Sequence, residues 1–275
     1  MKIACRIYTA LIFVFLYAPI AVMILFSFNG SSSTAVMDGF SLRWYADLFG
    51  NRAAGEALRN TLVLALLSAA IATVLGTLAA VALSRMRHAW VRKSFTSVLN
   101  IPMMNPDIVT AVSMLMLFVF VGNILNIASR SFLTVLIAHI TFNIPYVVLS
   151  VMPKLRQMDR NLPEAAADLG CTPLQSFFFV ELPAILPGVL SGALMAFTLS
   201  LDDFIITQFT KGEGFYTLPT YIYSMTKRKV EPDMYALSTL IFLVILALLI
   251  ISNALGARME AHRNPKTKSM KGIKN

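Results

Sequence analysis

Residues 60–84 read NTLVLALLSAAIATVLGTLAAVALS, a stretch without a single Asp, Glu, Lys or Arg. About twenty apolar residues in a helix cross the hydrocarbon core of a bilayer, so this segment is long enough to span and carries nothing that forbids it. Comparable runs occupy 7–28, 95–121, 132–152, 186–209 and 235–256. Six spans are expected, and six return both termini to one side. Composition agrees: 57% of the 275 residues are hydrophobic and 13% charged, more apolar surface than one soluble core can hide. The expectation is an all-α polytopic membrane protein, a single transmembrane domain over residues 1–275. The first run follows Lys2 and Arg6 as a secretory signal would, but it exceeds a usual signal core and lacks a small-x-small cleavage site. It is read as a retained helix.

The formal net charge of +9 does not point to nucleic acid, because the basic residues fall between and after the apolar runs, where they report orientation. With the N-terminus, the second and fourth connections and the tail on one side, that side holds 15 of the 23 Lys and Arg residues. Both termini are therefore expected in the cytoplasm. Cys5 and Cys171 fall on or near that reducing side, so no disulfide framework follows. His88, His139 and His262 are scattered, without Cys or carboxylates at ligand spacing, and predict no metal site. No Gly-x-x-x-x-Gly-Lys-Ser/Thr loop occurs, so any ATP chemistry belongs to another chain. Nor is there a Ser/His/Asp or Cys/His set to place in one cleft, and no catalytic residue is expected.

The longest cytoplasmic connection, 153–185, is unusually well punctuated. Asn161 and Pro163 make a helix start, with Glu164 in the first turn where a negative charge suits the dipole. Ala165, Ala166 and Ala167 give a small-residue face, and Gly170 ends the helix. Thr172, Pro173 and Gln175 form a second start with a capping box, Phe177, Phe178 and Phe179 follow, and Leu182-Pro183 is read as the terminator. Capping alone would also suit an amphipathic interfacial hairpin. The pattern Glu164-Ala-Ala-x-x-x-Gly170, nine residues, then Val180-x-Leu-Pro183 resembles the EAA loop of type I ABC importer permeases, with Val180 where the family usually has Ile. The resemblance implies a coupling helix that docks in a groove of the ATP-hydrolysing subunit, with Glu164, Ala165, Ala166, Gly170, Leu182 and Pro183 as its residues.

Asp107, Asp202 and Asp203 lie within apolar runs, where each costs about 3 kcal/mol near the centre of a span. They should face protein rather than lipid. Asp107 follows Asn105-Pro106, so the third span is expected to be kinked or broken there. Asp107 is either part of a polar path or a first-turn dipole partner. The fourth span carries His139, Thr141, Asn143, Pro145 and Tyr146, either a polar-lined irregular stretch or a packed, hydrogen-bonded set. Asp202 and Asp203 stand in the outer half of the fifth span, about 100° apart on a helix, so one should face cargo while the other pairs with a neighbour.

Asn105-Pro-Asp-Ile-Val109 and Phe197-Thr-Leu-Ser-Leu-Asp-Asp203 resemble the PotC-type permeases of spermidine/putrescine importers, as do Tyr17-Ala-Pro19, Phe26-Ser-Phe-Asn29, His139-Ile-Thr-Phe142 and Leu218-Pro219 through Tyr223-Ser224. The resemblance implies six helices of the type I ABC importer permease fold in a bacterial inner membrane. The implied partners are a homologous permease, two ATP-binding subunits that hold ATP and Mg, and a soluble polyamine-binding protein outside. Asp107, Asp202, Asp203, His139 and Tyr146 are then candidates for the substrate pathway. Type I permeases for other cargo and an ion-coupled secondary transporter are the alternatives. Intramembrane acid favours a cation over an oxyanion. The polar stretches 29–58 and 210–234 would receive the binding protein, with Trp44, Tyr45, Phe215 and Tyr216 as anchors or as an interfacial belt.

Overall fold

The fold is described from a computed structural model covering residues 2–31, 36–86, 88–125, 130–159, 161–227, 234–240, 242–244, 246, 247 and 250. Among these residues the chain is helical, with one isolated antiparallel bridge between Asn29 and Phe40. Among the described residues five helices are long and apolar enough to cross a membrane: Arg6–Phe26, Arg52–Arg85, Asp107–Ile124, Phe132–Gln157 and Pro173–Asp202. The expected sixth span, 235–256, falls largely outside the described residues, whose part of it is an apolar helix over Met234–Val244.

The chain divides into two units. The first joins residues 1–59 to 216–248. Helix α1, Lys2–Phe26, buries none of its apolar window against the rest of the chain, so lipid or another protein must cover it. The turn after α1 is tied by one side chain. Asn29 donates from Nδ2 to the Val36 carbonyl and accepts the Ser31 and Asp38 amides at Oδ1. Trp44, on helix α2 (Arg43–Gly50), donates from its indole to the Asn29 carbonyl at 2.7 Å. Asn51 caps helix α3, Arg52–Arg85, by accepting from the Ala53 and Ala54 amides. Ala54 and Ala57 pack with Leu218 and Leu237.

The second unit, residues 60–215 among those described, contains the main core. Helix α3 continues into it, followed by α4 (Ala89–Met104), α5 (Asp107–Leu125) and α6 (Phe132–Gln157). The connection after α6 holds α7 (Leu162–Asp168) and α8 (Pro173–Ser176), which leads to α9 (Leu182–Asp202) and α10 (Ile205–Thr210). Small residues set the packing. A Cβ on Gly76 of α3 would lie 2.7 Å from the Val147 Cβ, and one on Gly188 of α9 would lie 3.0 Å from the Ser150 carbonyl oxygen. Only glycine permits these approaches, as expected where helices gain stability by close contact rather than by escaping water. Ala72, Ala80, Val147, Val151, Ile185 and Ala196 fill the space between α3, α6 and α9.

One expected break is met and two expectations are corrected. The run 95–121 is not one helix. Asn105 turns to extended backbone and α5 restarts after Pro106, whose missing amide cannot sustain the ladder. This is the break expected at that proline, and it leaves α4 as a separate helix with no buried residue. The run 186–209 also breaks: Asp203 is extended, and its carboxylate accepts the Ile206 and Thr207 amides, starting α10. Leu182-Pro183, expected as a terminator, instead begins α9. Phe177–Glu181 form a single π turn joining α8 to α9, and its i→i+5 pattern accommodates the proline that follows.

Candidate functional site

The connection after α6 is held by its own backbone and caps. Asn161 precedes α7 without a side-chain cap; instead the Asp159 carboxylate accepts the Asn161 amide at 3.0 Å, so the expected Asn161 cap is corrected to an Asx turn one step earlier. Pro163 and Glu164 occupy the first turn of α7. At its end Gly170 has φ +87°, and the Gly170 and Cys171 amides donate to the Ala167 and Ala166 carbonyls, the paired bonds of a Schellman cap. A Cβ there would meet nothing within 4 Å, so glycine serves the backbone and not the space. Thr172 and Gln175 close the expected capping box, with the Thr172 amide donating to Gln175 Oε1 at 2.9 Å.

This segment presents an apolar face with no cover from its own chain. Leu169, Leu174 and Phe179 are more than two thirds exposed, and Phe178 more than half. Glu164, Ala165, Gly170 and Pro183 are exposed beside them, Ala166 is buried, and Leu182 is half-buried against the α3–α6–α9 core. Large apolar side chains left exposed so close together in sequence call for cover by another chain or by lipid. The segment is anchored by Glu181, whose side chain is 3% exposed and pairs with Arg85 at the end of α3. Sequence reasoning missed this pair, because 96 residues separate its members.

The candidates within the spans divide. Asp203 and His139 are brought together: Asp203 Oδ2 accepts the Thr207 amide at 2.8 Å and the Thr207 hydroxyl at 2.9 Å, and lies 3.4 Å from His139 Nε2. With its proton given to Asp203, the Thr207 hydroxyl accepts from His139 Nε2 at 2.9 Å, which assigns the Nε2–H tautomer. Asp202, one residue earlier, ends α9 and is exposed. Asp107 begins α5, also exposed, outside this network. Tyr146 packs on Phe142 at 5.3 Å in the cluster that holds Ala111, Ala138 and Ile206. Of the two readings open for the fourth span, the structure has the packed, hydrogen-bonded set: α6 is unbroken with Pro145 inside it, and His139 and Asn143 are buried and bonded to Thr207 and Ser200.

A second polar set joins Asn143, already singled out in the fourth span, to two serines that the sequence reading left aside. Asn143 Nδ2 and the Ser68 hydroxyl both donate to Ser200 Oγ, at 2.7 and 2.9 Å, linking α6, α3 and α9 where all three side chains are buried. The signal was present as spacing: Asn143 stands one turn from His139, and Ser200 nearly one turn from Asp203.

Of the outer candidates, Tyr45 is drawn inward, its hydroxyl 2.7 Å from that of Ser27, and Phe215 packs edge-on against Phe132. Tyr216 remains exposed. Burial pulls the Lys211 ammonium below the usual lysine range. Among the described residues no three His, Cys, Asp or Glu side chains gather as a metal site would require.

Residues 72–267 match the family described as binding-protein-dependent transport system inner membrane component. The chain is 40% identical over 252 residues to the putrescine transport system permease protein PotI of Escherichia coli (strain K12), covering 91% of this chain and 90% of that protein. It is 39% identical over 254 residues to the spermidine/putrescine transport system permease protein PotC of the same strain, covering 92% and 93%. Among solved structures, it superposes on a chain of a bacterial ABC transporter that imports the acidic polysaccharide alginate, with TM-score 0.75, 19% identity and coverage of 94% and 95%. A chain of the inward-facing MetNI methionine ABC transporter follows at TM-score 0.59, 18% identity, covering 74% of this chain and 94% of that one. At such identities the likeness is one of fold.

Proposed function

The chain belongs to the family of binding-protein-dependent transport system inner membrane components, and from that premise we propose that it is the membrane-spanning subunit of an ATP-driven importer for a polyamine, putrescine or spermidine. The cargo is taken from the chain's extensive likeness to PotI and PotC permeases. It is supported by carboxylates at Asp107, Asp202 and Asp203 within the apolar runs. In this reading the working assembly contains a homologous permease, two subunits that bind ATP and Mg, and a soluble polyamine-binding protein on the outer face. Both termini are cytoplasmic, on the strength of the Lys and Arg distribution.

The observation that carries the reading is the capped, exposed segment from α7 to the π turn. Its shape is held by backbone bonds, the Thr172–Gln175 box and the Glu181–Arg85 pair, none of which uses Leu169, Leu174, Phe178 or Phe179, so these exposed side chains are left to bury themselves in a groove of another chain. Burying one such side chain stabilises a contact by about 2 kcal/mol, so the four together favour docking on an ATP-binding partner. Glu164→Arg puts a cation in the first turn of α7, opposed by the helix dipole and by whatever surface receives the segment. In the reconstituted complex this variant should insert and assemble, keep basal ATPase activity, and lose at least tenfold in ATP-dependent putrescine uptake. Competition among putrescine, spermidine and an unrelated cation reads the cargo. Coupled uptake at the parental rate would remove the coupling assignment, and uptake that persists without ATP under a proton gradient would replace the importer by an ion-coupled carrier.

A further inference from the structure

Where α3, α4 and α6 converge, beside the connection after α6, lies a cavity of about 900 Å³ whose lining includes Arg85, Arg92, Lys93 and Arg156, with Glu181 as its one carboxylate. Arg85 already pairs with Glu181. Among the described residues no ion pair engages Arg92, Lys93 or Arg156, and all three are exposed. Three cations thus surround one space with no counter-charge supplied by the described protein. Ser97 stands one turn along α4 from Lys93, adding a hydroxyl to the same wall, while the Thr96 hydroxyl is occupied by the Arg92 carbonyl at 2.9 Å.

A second, smaller cavity of about 290 Å³ shares Thr96, Met152 and Arg156 with the first and continues between α4 and α6. Its other walls are Leu99, Val148, Leu149, Pro153 and Gln157, so away from the shared Arg156 it is mostly apolar. Helix α4 buries no residue and exposes Trp90, Val98, Ile101 and Met104. A charged space opening into an apolar groove, beside a helix whose hydrophobic side is bare, matches one chemistry: a negative phosphate joined to a hydrocarbon chain.

We infer that these joined cavities bind an anionic phospholipid, phosphate among Arg92, Lys93 and Arg156, with an acyl chain along Leu99, Leu149 and Pro153. Basic recesses between spanning helices on the cytoplasmic side suit anionic headgroups, and each basic residue near such a surface contributes about 1 kcal/mol, or about fivefold in affinity. The placement in the inner leaflet rests on the proposed orientation; binding itself does not. An acidic protein partner would satisfy the cations but would leave the apolar groove without purpose.

The test uses the complete complex purified in detergent, with bound lipid counted by native mass spectrometry after addition of palmitoyl-oleoyl phosphatidylglycerol, the matching phosphatidylcholine, or glycerol phosphate without chains. Phosphatidylglycerol should be retained well above the other two. The Arg92→Gln, Lys93→Gln double variant should bind it about 25-fold more weakly, and the charge-preserving Arg92→Lys, Lys93→Arg pair should restore binding, which separates charge from misfolding. Equal retention by the neutralised variant would overturn the site. Capture of glycerol phosphate as tightly as of whole lipid would overturn the acyl half. Protection of an Arg92→Cys thiol from alkylation only when the ATP-binding subunits assemble would hand the cavity to a protein partner. Because retention in detergent needs neither transport nor a defined sidedness, its failure is distinguishable from failure of the importer reading.

Discussion

Asp202 and Asp203 are neighbours with different work to do. Asp203 accepts two backbone amides and a hydroxyl and faces His139. Replacing it by Asn removes the charge from a set of bonds each worth about 1–3 kcal/mol. Asp203→Asn should therefore lower the melting temperature of the complex by several degrees and reduce uptake through misplacement of α10. Asp202 is exposed at the end of α9, so Asp202→Asn should leave the melting temperature within a degree. An ammonium about 4 Å from it would be attracted by roughly 4 kcal/mol before desolvation, so a net loss of about tenfold in kcat/KM for putrescine is expected. Thermal melts and uptake assays on both variants check this split; full uptake by the double variant would remove the pair from the pathway.

At the scale of elements, Gly170 tests whether the connection acts through its backbone. Its φ of +87° costs a side-chain-bearing residue about 1–2 kcal/mol, but Asn visits that region routinely. Gly170→Val should uncouple ATP hydrolysis from uptake, whereas Gly170→Asn should keep most coupling; equal damage by both would show that bulk, not backbone, matters there. What could be read from sequence follows the same division. The apolar runs, the Thr172–Gln175 box, the Gly170 stop and the break at Pro106 are local, written in a few adjacent residues. The break after Asp202 is hidden inside an apolar run, because a carboxylate turning back to cap α10 leaves no hydropathy signal. The Glu181–Arg85 pair depends on a partner far along the chain, and no spacing rule brings residue 85 to residue 181. The buried Ser68, Asn143 and Ser200 are joined only when three helices meet.

Across the whole molecule, exposed apolar surface indicates where other chains and lipid belong. The bare window of α1, the outer side of α4 and the face around Leu169 and Phe179 all await cover. Cys171, half-buried between Gly170 and Thr172, is a native reporter for the last of these. In a Cys5→Ser background its alkylation should slow at least tenfold once the ATP-binding subunits assemble, and an unchanged rate would place their contact elsewhere. The π turn at Phe177–Glu181 has a mechanical consequence for such an assembly. It holds one residue more than an α turn, so α9 follows α8 out of phase with it. Shifting that surplus residue advances the helix beyond it by about 1.5 Å and turns it by about 100°. If the connection couples as proposed, a push delivered there would emerge at Ser200 and Asp202 as a twist, the conversion a screw thread makes between travel and rotation.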